Sequence, residues 1–362
     1  MNTLVLDEAP FIDGLFPFTL TRSIPDIRIG ILTLREKWER LAPGLVLAAQ
    51  EHPTNPAPPR SGNAHDPSAP VFSIPANILP DKTLAEALKG SSPDLDRLIG
   101  SAPAIRHPWD IFALNDQALR SDFRLLTEGK KSCPIPASVQ AIAPENIFIS
   151  EGARVSCSVL NASTGPIWIG PHAEIMEGSL IRGPFALGEG ATVKMGSKIY
   201  GATTIGPYST VGGEIKNSVI FGWSNKGHDG YLGDSVIGEW CNLGAGTSNS
   251  NLKNNAGAVR AWSQATQAFI PAGLKCGLLM GDYSRSAINT SFNTGTVTGA
   301  CCNIFGEGLT PKYIPSFSWG QHGTTRYKWD EALRDIASWK KLKNQTLTNA
   351  EIQILKHIFE KL

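Results

Sequence analysis

The sequence has almost no net charge: 33 Lys and Arg stand against 32 Asp and Glu, a formal +1 over 362 residues. Without a bulk field to gather polyanions, general nucleic-acid or anionic-membrane binding is disfavoured, and any phosphate site has to be local. Long apolar runs are missing too. The longest unbroken stretches are a handful of residues, far short of the roughly 20 that cross a bilayer. The start, Met1-Asn2-Thr3 before Leu4 to Leu6 and then Asp7 and Glu8, lacks the basic head and apolar core of a secretory leader. The expectation is a cytoplasmic protein that engages neither membrane nor nucleic acid. Six cysteines (Cys133, Cys157, Cys241, Cys276, Cys301 and Cys302) include no CxxC pair. A chain this long has enough core to fold without staples, so reduced and mostly buried thiols are expected.

What is present is a repeat. In steps of six from Ile169 come Ile175, Ile181, Leu187, Val193, Ile199, Ile205 and Val211, all aliphatic. With aliphatics at roughly a quarter of residues, eight in register is an accident on the order of 10⁻⁵ per starting position. Two residues before most of them sits something small: Ala173, Ser179, Ala191, Ser197, Thr203 and Ser209, with Phe185 the exception. A period of six fits neither a helix nor a two-faced strand. It fits a prism of short parallel strands with one aliphatic pointing inward per face, a left-handed parallel β-helix of hexapeptide repeats. The register breaks after Val211, where Ile220 to Gly230 reads as a loop thrown out of the prism. It resumes with Leu232, Ile237 and Leu243, is lost around Ser248 to Gln267, and returns through Ile270, Leu279, Ile288, Val297 and Ile304.

Upstream, residues 1–130 mix strand-like runs (Thr3 to Leu6, Leu45 to Ala49, Val71 to Ile74) with helix-like ones (Leu84 to Lys89, Leu95 to Ile99), an α/β pattern. Within it, the interval 53–70 is too rich in Pro and polar residues to pack and reads as a surface insertion. Residues 131–150 read as a linker, 151–310 as the β-helix and 311–362 as a C-terminal extension. In that extension Trp329, Leu333, Ile336 and Trp339 recur at helical spacing. Thr348 and Glu351 form a capping-box pattern ahead of Ile352, Leu355, Ile358 and Leu362, so two amphipathic helices should brace the prism.

The polar stretch from Gly212 to Asn251 stands out in a solenoid that needs few polar residues. Its E-x-K, G-H-x-x-Y-L-G-D and N-x-G-A-G-T elements resemble, in order, the acetyltransferase domain of the bifunctional N-acetylglucosamine-1-phosphate uridyltransferase/glucosamine-1-phosphate N-acetyltransferase family. The resemblance implies His228 as the catalytic base and Tyr231, Glu214, Lys216, Asn242 and Asn251 as substrate-binding groups. An arginine of the family falls on Lys198, which keeps the charge and loses the bidentate fork. The chemistry is sound on its own terms, because acetylating an amine requires a base with pKa near seven to take its proton, and histidine is that base. Lys198 and Lys216 stand 18 residues apart, one three-faced turn, so they should share a face, and two adjacent cations want an anion such as a sugar phosphate.

The segment from Leu15 to Trp38, with the stretches FNTGTVTG, NIFG and PSFSWG, resembles a divergent bacterial relative of that family with a shortened nucleotidyltransferase-like N-terminal domain. Here the first strand runs into Asp7-Glu8-Ala9-Pro10 instead of the Gly-rich phosphate loop of nucleotidyltransferases. Arg22, Arg28 and Arg35 are the alternative phosphate clamp, with Arg22 and Arg28 the nucleotide-binding candidates; Asp7 and Asp110 are the acids to consider for Mg²⁺. The resemblance implies acetyl-CoA as cofactor, an amino-sugar phosphate as acceptor, UTP and Mg²⁺ if the N-terminal domain is active, and a homotrimer with acetyl-CoA along the prism. The stretch Asn293 to Gly306 is the candidate lining of that groove. The alternatives are a relative whose N-terminal domain is inactive, or a non-catalytic trimeric regulatory subunit.

Overall fold

The computed structural model describes residues 3–43, 46–48, 71–90 and 94–362, so the Pro-rich interval 53–70 lies outside the described residues. From Gln140 to Ile314 the chain winds as a three-faced prism of short parallel strands, a left-handed parallel β-helix of about 10 turns. The first face stacks nine strands, from Ile147–Ile149 to Tyr313–Ile314, and the second stacks eight, from Arg154–Val155 to Asn303–Ile304. The third stacks six, from Gln140–Ile142 to Tyr231–Gly233, and continues through Ser248–Asn249 and Ser291–Phe292. The ladder therefore begins inside the interval 131–150 that reads as a linker. Gln140–Ile142 already pairs with the next turn although no six-residue rhythm is visible there.

The repeat is the architecture. All eight aliphatics from Ile169 to Val211 are at most 2% exposed and meet along one axial core. Burying one such side chain stabilises by about 2 kcal/mol, and only the next turn provides the burial. The small residues two positions earlier are equally buried, and their hydroxyls satisfy corner carbonyls: Ser197 and Ser179 donate to the Lys194 carbonyl at 2.6 and 3.1 Å.

Two departures from the expected rhythm are instructive. Ile220 to Gly230 is no extruded loop, because Val219–Ile220 and Asn225–Lys226 are strands paired with Thr204–Ile205 and Thr210–Val211. The rhythm fails there because the turn is shorter than three hexapeptides and because Lys226 fills the inward slot level with Val211. The second excursion is real. Between Ser248–Asn249 and Leu278–Met280 the chain leaves the prism and forms an antiparallel hairpin, Arg260–Ser263 with Ala268–Pro271. The phase after it also differs from expectation: Ile270 belongs to the hairpin, Ile288 is 69% exposed at a corner, and Leu279 and Val297 point outward into the N-terminal core. Leu278, Met280, Phe292, Cys302 and Ile304 are the residues that point inward. In an alternating strand, a slip of one residue exchanges the two sides.

The N-terminal region is α/β as expected, with parallel strands in the order Val46–Ala48, Thr3–Asp7, Val71–Pro75. Around them lie helices α1 (Leu34–Leu41), α2 (Lys82–Gly90), α3 (Leu95–Ser101), α4 (Asp110–Ala113) and α5 (Asn115–Thr127). Its apolar core continues into Val219, Phe221, Val236, Leu279 and Val297 on the first face and into Val259, Ala261 and Ala272 around the hairpin. Polar pins fix the docking. The fully buried Asn115 accepts the Gly30 N–H at 2.7 Å and donates to the Ala202 carbonyl at 2.9 Å. Asp282 of the prism accepts Thr21 Oγ1 at 2.6 Å and the Arg22 guanidinium.

Helices α6 (Trp329–Leu342) and α7 (Asn349–Glu360) form where the pattern places them, α7 with the Thr348/Glu351 capping box. They cover the corner between the first and second faces, where Trp240, Tyr283, Cys301 and Phe317 are buried. At that corner Tyr208, Trp223, Trp240, Tyr283 and Phe317 all have φ between 54° and 64°. A left-handed backbone costs a non-glycine residue about 1 kcal/mol. Ring stacking offsets it: Tyr208 on Trp223 at 4.4 Å and Trp223 on Trp240 at 5.0 Å between centroids. Among the described residues no cysteine is bonded to another, and four of the six are buried.

Glu8, at the end of the first strand, is buried and accepts the Ile24 N–H at 2.6 Å. Burial, aided by nearby Asp26 and Asp7, pushes its carboxyl up to about 7. A carboxyl whose folded pKa lies above its unfolded value destabilises the fold as it ionises, so stability drains as pH rises from about 4.5 to about 7. Glu8→Gln should remove that loss. In denaturant unfolding at pH 5 and pH 8, the variant's advantage over wild type should grow by on the order of 3 kcal/mol at the higher pH. An advantage that does not change with pH would show that Glu8 is ionised throughout.

Candidate functional site

The third face carries the site. Its outward column steps through Leu180, Lys198, Glu214 and Tyr231, and the column beside it through Arg182, Tyr200, Lys216 and Gly233. Alternate residues of a strand point to one side, so each strand contributes two outward groups around one inward aliphatic. Lys198 and Lys216 share this face, but not as direct neighbours. The turn between them is two residues shorter than three hexapeptides, so Lys198 is level with Glu214 and Tyr200 with Lys216.

The polar groups form two hydrogen-bonded clusters, adjacent where Glu214 is level with Tyr231. Tyr200 donates its hydroxyl to Glu214 Oε1 at 2.7 Å, and the Lys216 ammonium lies 5.9 Å from the centre of the Tyr200 ring. Asn251 donates to the Tyr231 hydroxyl at 3.1 Å and to Asp234, whose other oxygen accepts Asn217 Nδ2 at 2.7 Å. The hydrogen bond to Glu214 pushes the Tyr200 phenol up to about 12; burial beside Asp234 raises that of Tyr231. Glu214 is thus engaged by a phenol and not by either lysine, which leaves both ammonium groups for an anion. A groove of about 530 Å³ on the same face runs up to these clusters, lined by Ile142, Val159, Leu180, Arg182, Lys198 and Tyr200.

His228 is exposed at the corner where the second face turns into the third, immediately before Tyr231–Gly233. Two glycines shape that corner. Gly213, in the turn beneath, has φ +75°, and a Cβ there would stand 2.9 Å from the His228 carbonyl oxygen. Gly230 has φ +127°, and its Cβ would stand 2.1 Å from the Thr247 carbonyl oxygen. Only residues without a side chain let successive corners approach this closely. The structure therefore brings Lys198, Glu214, Lys216, Tyr231 and Asn251 together on one face, with His228 at its edge. Asn242 lies around the corner on the second face, where its Oδ1 accepts Asn225 Nδ2 at 2.9 Å.

Tyr200, Asn217 and Asp234 were not singled out by sequence. Tyr200 is two residues after Lys198 and so on the same side of its strand, and Asp234 closes the Y-L-G-D element. The expected groove lining Asn293 to Gly306 is largely packed instead: Thr296, Val297 and Thr298 are buried on the first face, and Ala300 and Cys301 lie in the core formed with α6 and α7.

The N-terminal candidates are already committed. Arg22 is buried on Asp282 with Glu239 at 3.6 Å; Arg28 donates to the Ile31 carbonyl and lies 3.7 Å from Glu36; Arg35 pairs with Asp26 at 2.6 Å. They make no open phosphate clamp. Asp7 accepts the Ala9 N–H at 3.2 Å, and Asp110 accepts those of Arg106 and His107 at 2.7 and 2.8 Å. Among the described residues no three His, Cys, Asp or Glu side chains converge. Nor is any described helix long and apolar enough to cross a membrane.

Residues 4–96 match the family model described as sugar nucleotidyl transferase. Among curated proteins, the chain is 32% identical over 120 residues to the bifunctional protein GlmU of Methanocaldococcus jannaschii, covering 33% of this chain and 28% of that one. It is 37% identical over 93 residues to a bifunctional sugar-1-phosphate nucleotidylyltransferase/acetyltransferase of Sulfurisphaera tokodaii, covering 25% and 23%. The chain resembles these bifunctional enzymes as a divergent relative. The matched stretches span about a quarter of the relatives' own length. A solved Arabidopsis UDP-N-acetylglucosamine acyltransferase aligns with a TM-score of 0.22 at 16% identity, covering 62% of this chain and 88% of that one.

If Tyr200 donates to Glu214 as described, Glu214→Gln should bring the Tyr200 phenol back down toward 10. Ultraviolet difference titration of the two proteins should show one phenol ionising at lower pH in the variant. Superimposable curves would contradict that bond.

Proposed function

We propose that this chain transfers the acetyl group of acetyl-CoA to the amine of an amino-sugar phosphate, with glucosamine 1-phosphate as the acceptor. The observation that carries the reading is the third-face cluster, in which two ammonium groups with no ion pair among the described residues stand beside a glutamate, a tyrosine and an asparagine, with an exposed histidine at the edge. Lys198 and Lys216 take the sugar phosphate, while Glu214, Tyr231 and Asn251 hold its hydroxyl groups. Asn242 binds from the second-face side of the corner. The neutral amine attacks the thioester carbonyl, the C–S bond breaks, and the thiol leaves. His228 takes the proton the amine sheds and returns it to the departing sulfur. The protein acts in the cytoplasm as a homotrimer, whose neighbouring subunit completes the cleft for acetyl-CoA.

The family match over residues 4–96 supports a second step, in which the acetylated sugar phosphate reacts with UTP in the presence of Mg²⁺ and releases pyrophosphate. The paired state of Arg22, Arg28 and Arg35 weighs toward an N-terminal domain that no longer does this.

Purified protein should release free CoA from acetyl-CoA only when glucosamine 1-phosphate is present, and His228→Ala should lower that rate about 10²-fold or more while leaving the oligomer intact. Near-normal turnover in the variant would remove His228 from the mechanism. No CoA release by wild type with any amino-sugar phosphate would favour a non-catalytic subunit. A parallel assay for pyrophosphate decides whether the N-terminal domain is active.

A further inference from the structure

We propose that Lys226 is a positioning residue for His228: its ammonium, sealed inside the prism, ties down the carbonyl of His228 and so fixes the corner from which the imidazole projects. The inference rests on the reading of His228 as the catalytic base.

Lys226 occupies an inward slot of the second face. The inward residue of the turn beneath, level with it in the ladder, is Val211, and the turn above contributes Leu243. It is 3% exposed. Its Nζ donates to the Gly212 carbonyl at 2.9 Å and to the His228 carbonyl at 2.8 Å, and among the described residues no carboxylate lies within ion-pair distance of it. Asp229 is the charged group nearby, and burial pushes the amine down to about 8.

An ammonium buried without a counter-ion costs stability, and an aliphatic of the same size would serve the core better. The two acceptors show what it does instead. They are the carbonyls of successive turns at one corner, the Gly212-Gly213 turn and the His228 turn stacked on it. The bonds therefore join the platform beneath His228 to the His228 peptide itself. That peptide sits in a corner where His228 and Asp229 are both exposed; the turn above holds the Asp229 carbonyl through the Gly246 N–H at 3.0 Å, and Lys226 holds the His228 carbonyl from inside. A general base has to be held within a fraction of an ångström of the proton it takes, so a strap from inside the core is a direct way to hold it.

Lys226→Met tests this, since methionine fills the slot without the bonds. The expected result is a thermal midpoint equal to or above that of wild type, with kcat for acetyl transfer down tenfold or more and KM for the sugar phosphate within twofold. In a His228→Ala background the same substitution should cost less than twofold, because the base it positions is gone. Wild-type kcat in Lys226→Met, or an equal loss in both backgrounds, would overturn the proposal. If the methionine variant fails to fold, Lys226→Leu, which also fills the slot without a donor, is read the same way. A separate readout does not depend on turnover: the ¹³C-labelled His228 imidazole should give one sharp resonance in wild type and an exchange-broadened one in Lys226→Met. Identical line shapes would refute the strap. A wild type inactive on every amino-sugar phosphate, with the broadening still present, would instead refute the acetyltransfer reading and leave the strap standing.

Discussion

Everything in this molecule hangs on the parallel ladder that joins each turn of the prism to the next. Because strands pair with partners one turn away, the length of a turn decides which side chains meet. Between Lys198–Tyr200 and Glu214–Lys216 the turn is two residues short, and this puts Lys198 beside Glu214 instead of beside Lys216. The shortening separates two like charges and gives the Tyr200 hydroxyl a carboxylate to reach. The site's electrostatics are thus set by a shortened corner between Val211 and Ile215, directly before Glu214.

The three faces have different fates, and their outward residues explain why. The first face is apolar where Val219, Val236, Leu279 and Val297 point outward, and the N-terminal region covers it. The corner between first and second faces is aromatic, and α6 and α7 close over it. The third face keeps charged and hydrogen-bonding groups outward and is open, with its groove ending at Lys198 and Tyr200. Burying polar groups of this kind without a ligand or solvent to complete their hydrogen bonds would be costly, so the face stays exposed.

Much of this could be read from the sequence. The eight-fold run from Ile169 to Val211 announces the prism because an inward slot tolerates little but an aliphatic. The Thr348/Glu351 pair marks the start of α7 because a capping box is a local device. The motif elements placed Glu214, Lys216, Tyr231 and Asn251 on what proves to be one face. Reading failed where the information is not local. Lys226 hid a strand, since nothing in the sequence says that a lysine can point into the core when two corner carbonyls await it. Leu279 and Ile304 look alike in sequence, yet one faces the N-terminal core and the other the axis, because the long hairpin excursion resets the phase. Arg22 reads as a phosphate ligand until its partner appears 260 residues away.

The central claim is that one face of the prism is a sugar-phosphate site. A crystal structure with glucosamine 1-phosphate soaked in would test it most directly. The account predicts density on the third face, with the phosphate between Lys198 and Lys216 and the amine directed at the His228 corner. Density confined to the N-terminal region, or a third face unchanged at saturating ligand, would contradict it.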